Sequence, residues 1–253
     1  MIALAQATTE IVTWQTLLTE QLQLIRESLP SLLFATINTI ALTVGLLVLG
    51  FVLAVPVALG QLYGPAPVRW LMSAYERFFR AIPILVLLVF FVFGLKINFP
   101  LPPFFSAFLS AVLIFGVHSS AYQSQIFRGA IQSISLGQVA AARAIGMTRL
   151  QAIRHIVLPQ AFRLAIPAWS NEYSSVLKDT SFAFTVGVVE LNQQAIQIAS
   201  YPNNHNKLFA LFFAVAIIYL ILTTLGTRGL ELMERRMRIP GLTAHQGAAH
   251  THG

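Results

Sequence analysis

The sequence predicts an all-α integral membrane protein with five transmembrane helices, an amphipathic N-terminal helix and one long cytoplasmic loop. Three observations carry this. Of 253 residues, 56% are hydrophobic and 10% charged, against about a quarter charged in a soluble domain. The mean hydropathy is +0.72. Residues 31–68 contain no charged side chain, and the arginines gather between the apolar runs. The net charge of +7 is assigned to cytoplasmic arginines under the positive-inside rule and not to nucleic acid, because no basic stripe stands clear of a membrane segment. With no cysteine there is no disulfide and no thiolate metal site. The opening MIALAQATTE lacks a basic n-region, so no cleaved signal peptide is expected.

Residues 8–29 place Ile11, Trp14, Leu18, Leu22 and Ile25 on one helical face, with Glu10, Glu20 and Glu27 among the polar positions. This predicts an amphipathic helix, either in the membrane interface with Trp14 at headgroup level or packed on the protein surface. Pro30 is expected to end it. A span needs about 20 residues, so 31–68 holds one long helix over roughly 32–60, with a kink expected at Pro56. Gly64, Pro65 and Pro67 form the first loop. The second span covers 76–96, after Arg69, Glu76, Arg77 and Arg80. Lys96 and NFPLPP make the next loop. The third span, 104–127, has an unusually polar inner half with His118, Ser119, Ser120, Tyr122 and Gln125.

The stretch 137–160, GQVAAARAIGMTRLQAIRHIVLPQ, is basic and contains no acid. An alanine-rich helix runs to Ile145, and Gly146 suits the left-handed residue that closes it. Thr148 and Gln151 have capping-box spacing for a second helix, which Pro159 is expected to end. The fourth span follows and holds Pro167, Asn171, Glu172, Lys178 and Asp179. Ionisable groups at that depth are costly and turn toward a bundle interior or a cavity. Residues 190–207 read as a loop and 208–229 as the fifth span. The tail carries Arg235, Arg236 and Arg238, and its His245, His250 and His252 are too loosely spaced for a metal site. Three regions result: an interfacial segment at 1–30, a transmembrane domain at 31–232 and a cytoplasmic tail at 233–253.

Five spans with the central loop inside put the N-terminus outside and the C-terminus in the cytoplasm. The inner side then receives Arg69, Arg77, Arg80, Arg128, Arg143, Arg149, Arg154, Arg163 and the tail arginines, and the outer side Arg26, Lys96 and Lys207. No phosphate-binding lysine loop, dinucleotide turn, zinc-protease helix or nucleophile elbow occurs. His118, Glu172 and Asp179 are the one set that resembles an intramembrane catalytic centre, and a polar pore or packing network explains them as well. The chain therefore offers membrane passage without its own energy source and is read as a non-enzyme.

The loop and its flanks resemble the permease subunits of ABC importers, and more closely the polar-amino-acid permeases. The likeness rests on FFRAIPILVLLVFF at 78–91, SAYQSQIFRGAIQSISLGQ at 120–138, the EAA-like loop, PQAFRLAIPAWSNEYSSVLKDTS at 159–181 and VGVVEL at 186–191. It covers roughly 35–230. It implies that the loop holds the coupling helix that docks on a cytoplasmic ATPase, through Ala140, Ala141, Ala142, Arg143, Gly146, Met147 and Thr148. It implies a multi-pass protein of a bacterial-type inner membrane. The implied partners are ATPase subunits that bind ATP and magnesium, a second permease subunit, an extracytoplasmic binding protein and the bilayer. No cofactor is expected on this chain.

Arg80, at the position of the family's FRGTP arginine, is then a candidate partner for a substrate carboxylate, with Gln125, Asn171 and Glu172 along the path. His118, Lys178 and Asp179 are expected to form a gate or structural polar network. Two departures stand out: Ala140 replaces the usual glutamate of the loop, and Gln125 replaces an acid, which leans the substrate toward a neutral or acidic amino acid. The competing reading is an ion-coupled secondary carrier. Five spans without an inverted repeat argue against it.

Overall fold

The computed structural model describes residues 2–98 and 106–237. The side chain of Trp14, the loop at 99–105 and the tail histidines lie outside what it describes. Nine α-helices occur among the described residues, with a π turn and two 3-10 turns between them.

Helix α1 runs from Ile2 to Tyr63 without a break, through both Pro30 and Pro56. The expected stop at Pro30 is therefore corrected: the N-terminal segment and the first span are one continuous helix. Proline costs about 3 kcal/mol inside a helix. Ending the helix at a membrane would strand several backbone carbonyls, each without water to bond. The portion Gln15–Tyr63 is 49 residues long, about 70 Å at the α-helical rise, so it exceeds the thickness of a bilayer.

Gly64 and Pro65 alone make the turn into α2, Ala66–Ala81, and Pro67 sits in its first turn. The expected span at 76–96 is divided: α2 and α3, Ile84–Asn98, meet at 99° across Ile82 and Pro83. Ile82 is extended, at φ −97° and ψ 129°, because a residue before proline is pushed out of the helical region.

Helix α4, Ala107–Gln132, is capped by Ser106, whose Oγ accepts from the Leu109 amide at 3.1 Å. It lies closely against α1. Gly50 of α1 faces Gln123 and Ser119, and a Cβ there would strike the Gln123 amide. Small residues let membrane helices approach to backbone distance in this way. Near one end of the bundle, Leu42, Leu46 and Leu88 pack with Phe115, Val176 and Val186. Near the other, Ala54 and Ala58 pack with Phe127, Ile131, Val157 and Ala161.

After α4 come α5, Leu136–Ala144, and α6, Arg149–Ala152. A π turn, Ile153–Val157, carries α6 without interruption into α7, Leu158–Asp179. Pro159 thus opens a helix and does not close one. The wider turn before it accommodates a residue with no amide hydrogen to donate. A 3-10 turn, Thr180–Val186, leads to Gly187 at φ 88°. The stretch at 190–207 is not a plain loop, because it contains helix α8, Leu191–Ala199. Helix α9, Leu208–Met237, completes the described chain.

By length and apolarity, Gln15–Tyr63 and Leu208–Met237 can each cross a membrane, and α2 with α3 forms a third crossing if the bent pair counts as one. Helices α4 and α7 are long enough but carry inward polar residues, as helices that line a path do.

A polar cavity and a docking loop as the candidate functional site

The 3.6-residue period brings His118, Ser119 and Tyr122 of α4 toward Glu172, Ser175 and Asp179 of α7. They line a partly open cavity of about 300 Å³, together with Leu46, Ile84, Phe115, Val176 and Lys178. Glu172 accepts a hydrogen bond from Ser119 Oγ at 2.6 Å. Ser119 in turn accepts from Gln123 Nε2 at 3.0 Å, and Gln123 Oε1 accepts from the Trp169 indole at 2.7 Å. Gln123 also donates to the Leu47 carbonyl of α1 at 3.3 Å. This chain of bonds fixes the α7 wall against α4 and α1. A cavity with two carboxylates, an ammonium and an imidazole can hold both ends of a small zwitterion by charge-assisted hydrogen bonds.

The sequence-predicted residues divide among three places. Glu172, His118, Lys178 and Asp179 share this cavity. Asn171, one position from Glu172, points to a separate cleft against Thr227 and Glu231 of α9. Arg80 and Gln125 both turn to Glu76. Arg80 Nη1 lies 3.2 Å from Glu76 Oε1, with the guanidinium 5.2 Å from the centroid of the Tyr122 ring. Gln125 Nε2 donates to Glu76 at 2.6 Å. Glu76 itself was missed as a functional residue. The available signal was that it is the one acid among Arg69, Arg77 and Arg80, one helical turn before Arg80.

The loop has the local form its sequence predicts. Ser135 caps α5, with Gly137 N donating to its hydroxyl at 3.3 Å. Gly146 is left-handed at φ 89°. The Met147 amide bonds back to the Ala142 carbonyl at 3.1 Å, closing the helix end. Thr148 and Gln151 complete the capping box, at 3.3 and 2.8 Å. Gln160 Nε2 ties the loop to the start of α7 by donating to Gln138 at 2.8 Å. Ala140, Ala141, Arg143, Gly146 and Thr148 are exposed, Met147 is half-buried and Ala142 is buried as the helix's inner contact. Three large apolar side chains were not singled out from sequence: Leu136, Ile145 and Leu150 are 85%, 76% and 74% exposed. They stand exposed beside Ala140 and Ala141 on a basic knuckle, and exposed large apolar side chains gathered in one short segment are the kind of surface that marks a protein contact.

An all-helical membrane bundle with an internal polar cavity and a protruding apolar knuckle defines a transport subunit that works against another protein. The chain belongs to the family of binding-protein-dependent transport system inner membrane components, which matches residues 50–239. It is an ABC-transporter permease. It is 38% identical to the nopaline transport system permease protein NocM of Agrobacterium fabrum (strain C58) over 249 residues, covering 91% of this chain and 99% of that protein. It is 36% identical to the L-cystine transport system permease protein TcyB of Bacillus subtilis (strain 168), covering 79% of this chain and 83% of the other. A chain of a crystal structure of an amino acid ABC transporter with histidines superposes with a TM-score of 0.74 at 30% identity, over 84% of this chain and 96% of that one.

Proposed function

We propose that this chain is the membrane subunit of an ATP-driven amino-acid importer. The observation that carries the reading is the pairing of a charged cavity between α4 and α7 with an exposed apolar knuckle at the end of the same two helices. Five spans would be formed by α1, the bent α2–α3 pair, α4, α7 and α9, with the N-terminus outside and the knuckle and C-terminus in the cytoplasm. A binding protein would deliver the amino acid from outside, and a second permease subunit would complete the pathway. Partner ATPases, holding ATP and magnesium, would grip the surface at 140–148 and drive alternation between outward and inward openings. The named relatives are permeases of a nopaline and an L-cystine transport system, and the superposed structure is of an amino acid ABC transporter, which supports this substrate class.

Within the cavity, Glu172 and Asp179 suit the α-ammonium and Lys178 the α-carboxylate. Arg80, bound to Glu76 and stacked on Tyr122, supports the wall from behind. The test is uptake of a labelled amino acid into proteoliposomes that contain the assembled complex. Uptake is expected to require ATP inside, the ATPases and the binding protein outside. Lys178→Met is expected to lower uptake at least tenfold while the complex still assembles, about what loss of one charge-assisted bond at a binding site costs. Uptake by this chain alone under an ion gradient, indifferent to ATP, would replace the reading with an ion-coupled carrier.

A further inference from the structure

Glu76 is 4% exposed and lies outside the cavity lining. Its Oε1 accepts from Gln125 at 2.6 Å and from Arg80 at 3.2 Å. Its Oε2 accepts from Gln61 at 2.6 Å and from Arg128 at 3.3 Å. Arg128 also donates to Gln61 Oε1 at 3.2 Å, and Gln61 to the Met72 carbonyl at 3.2 Å. One carboxylate thus joins α1, α2 and α4. A buried charge persists only when its partners surround it, and removing the charge strands them.

The cluster continues in two directions. Toward the cavity, Arg80 lies over Tyr122, and the Tyr122 ring packs against His118 with centroids 5.1 Å apart and planes tilted by 49°; both rings line the cavity wall. Toward the knuckle, Gln61 is followed two residues later by Tyr63. The Arg149 guanidinium lies 5.2 Å from the centroid of that ring, and Arg149 is the first residue of α6, directly after the capping Thr148. Arg149, Tyr63, Gln61, Glu76, Arg80 and Tyr122 therefore connect the apolar knuckle to the cavity through contacts and the last two steps of the α1 backbone, about half a helical turn.

The geometry points to Glu76 as a positioning residue that carries displacement of the knuckle to the cavity wall, an inference that rests on the importer reading above. When the ATPases move α6, Tyr63 moves with Arg149, and the Glu76 cluster turns α2 and the Arg80–Tyr122 stack as one piece. Glu76→Gln cannot satisfy four donors: its amide hydrogens would face either Gln125 and Arg80 or Gln61 and Arg128, whichever oxygen the amide nitrogen replaces.

The experiment uses the assembled transporter in proteoliposomes with its binding protein. For Glu76→Gln the expected result is a KM for loaded binding protein within about twofold of the parent, a maximal uptake rate down about tenfold, and ATP consumed per substrate up about tenfold, a coupling effect of ordinary size. Glu76→Asp, which keeps the charge, should recover part of the rate. Tyr63→Leu and Arg149→Met break the far end while leaving the carboxylate cluster whole, and should raise ATP consumed per substrate likewise; they carry the test if Glu76→Gln fails to assemble. Parent-like ATP consumption per substrate in these variants overturns the link. So does a raised KM with an unchanged maximal rate, which would mean direct substrate contact. A parent complex that shows no ATP-dependent uptake overturns the importer reading, and the link falls with it.

Discussion

Glu190 accepts three hydrogen bonds while fully buried. The Asn192 and Gln193 amides donate at 2.9 and 2.7 Å, which caps α8, and the Tyr219 hydroxyl donates at 2.9 Å from α9. Beside it the Leu191 amide bonds to Thr39 Oγ1 of α1 at 3.1 Å. The carboxylate thus fixes α8 against α9, and the adjacent Leu191 amide ties both to α1. Glu190→Ala would leave two amides and a hydroxyl without partners, and a loss of about 3 kcal/mol is expected. Tyr219→Phe removes one donor and should cost about 1 kcal/mol. Thermal unfolding of the purified protein in detergent measures both, and equal midpoints for the two variants would count against this account. The sequence reads Glu190 as the start of a loop, since its two amide partners are bound only once α8 forms and its third partner, Tyr219, lies 29 residues away. Glu76 was obscured for the same reason: Gln61, Gln125 and Arg128 reach it from 15, 49 and 52 residues away. Asn171 and Glu172 looked equivalent in sequence, but the 100° step between neighbours on a helix sends them to different clefts.

At the scale of elements, what is governed by bonds within a few residues was readable. Gly146, Thr148 and Gln151 adopt the turn and cap their order predicts. Neither Pro30 nor Pro159 ends a helix, because proline stops a helix where water can bond the freed backbone groups, and a membrane offers them no other partner. Pro83 removes Ile82 from the helix and divides the span expected at 76–96; that this bends a membrane segment by 99° is not readable from an apolar run. The knuckle yields a prediction of its own. Gly146→Ala forces a Cβ into the left-handed region, at about 1 kcal/mol, whereas Leu136→Ser with Ile145→Ser removes exposed apolar surface and leaves the fold alone. The serine pair should therefore reduce co-purification of the ATPase subunits at least tenfold at unchanged melting temperature, and Gly146→Ala should lower the melting temperature with weaker effect on co-purification. Retention of the ATPases by the serine pair would remove the knuckle's apolar face from the docking surface. Ala140 is exposed, so an acid at that position would face outward and make no contact within this chain.

At the scale of the whole molecule, the distribution of charge and the course of the chain make the same demand. The arginines of α2, of the α4 end and of the knuckle gather at one end of the bundle, where Arg128 meets Glu76 and Arg149 meets Tyr63. Lys207 pairs with Glu20 at 3.7 Å at the start of α9, beside the part of α1 that precedes the charge-free run. The asymmetry predicts the first end in the cytoplasm and the second outside. The chain has no native cysteine, so single cysteines report the side directly. Ala140→Cys on the knuckle and Tyr201→Cys between α8 and α9 are both at exposed positions. An impermeant maleimide is expected to label Tyr201→Cys in right-side-out vesicles and Ala140→Cys only in inverted ones. The reverse pattern would put the knuckle outside, away from any ATP-bound partner, and the importer reading would be lost with the orientation. Labelling of both from one side would instead mean an even number of crossings between them, and would reassign α7 as a helix that enters the membrane without traversing it.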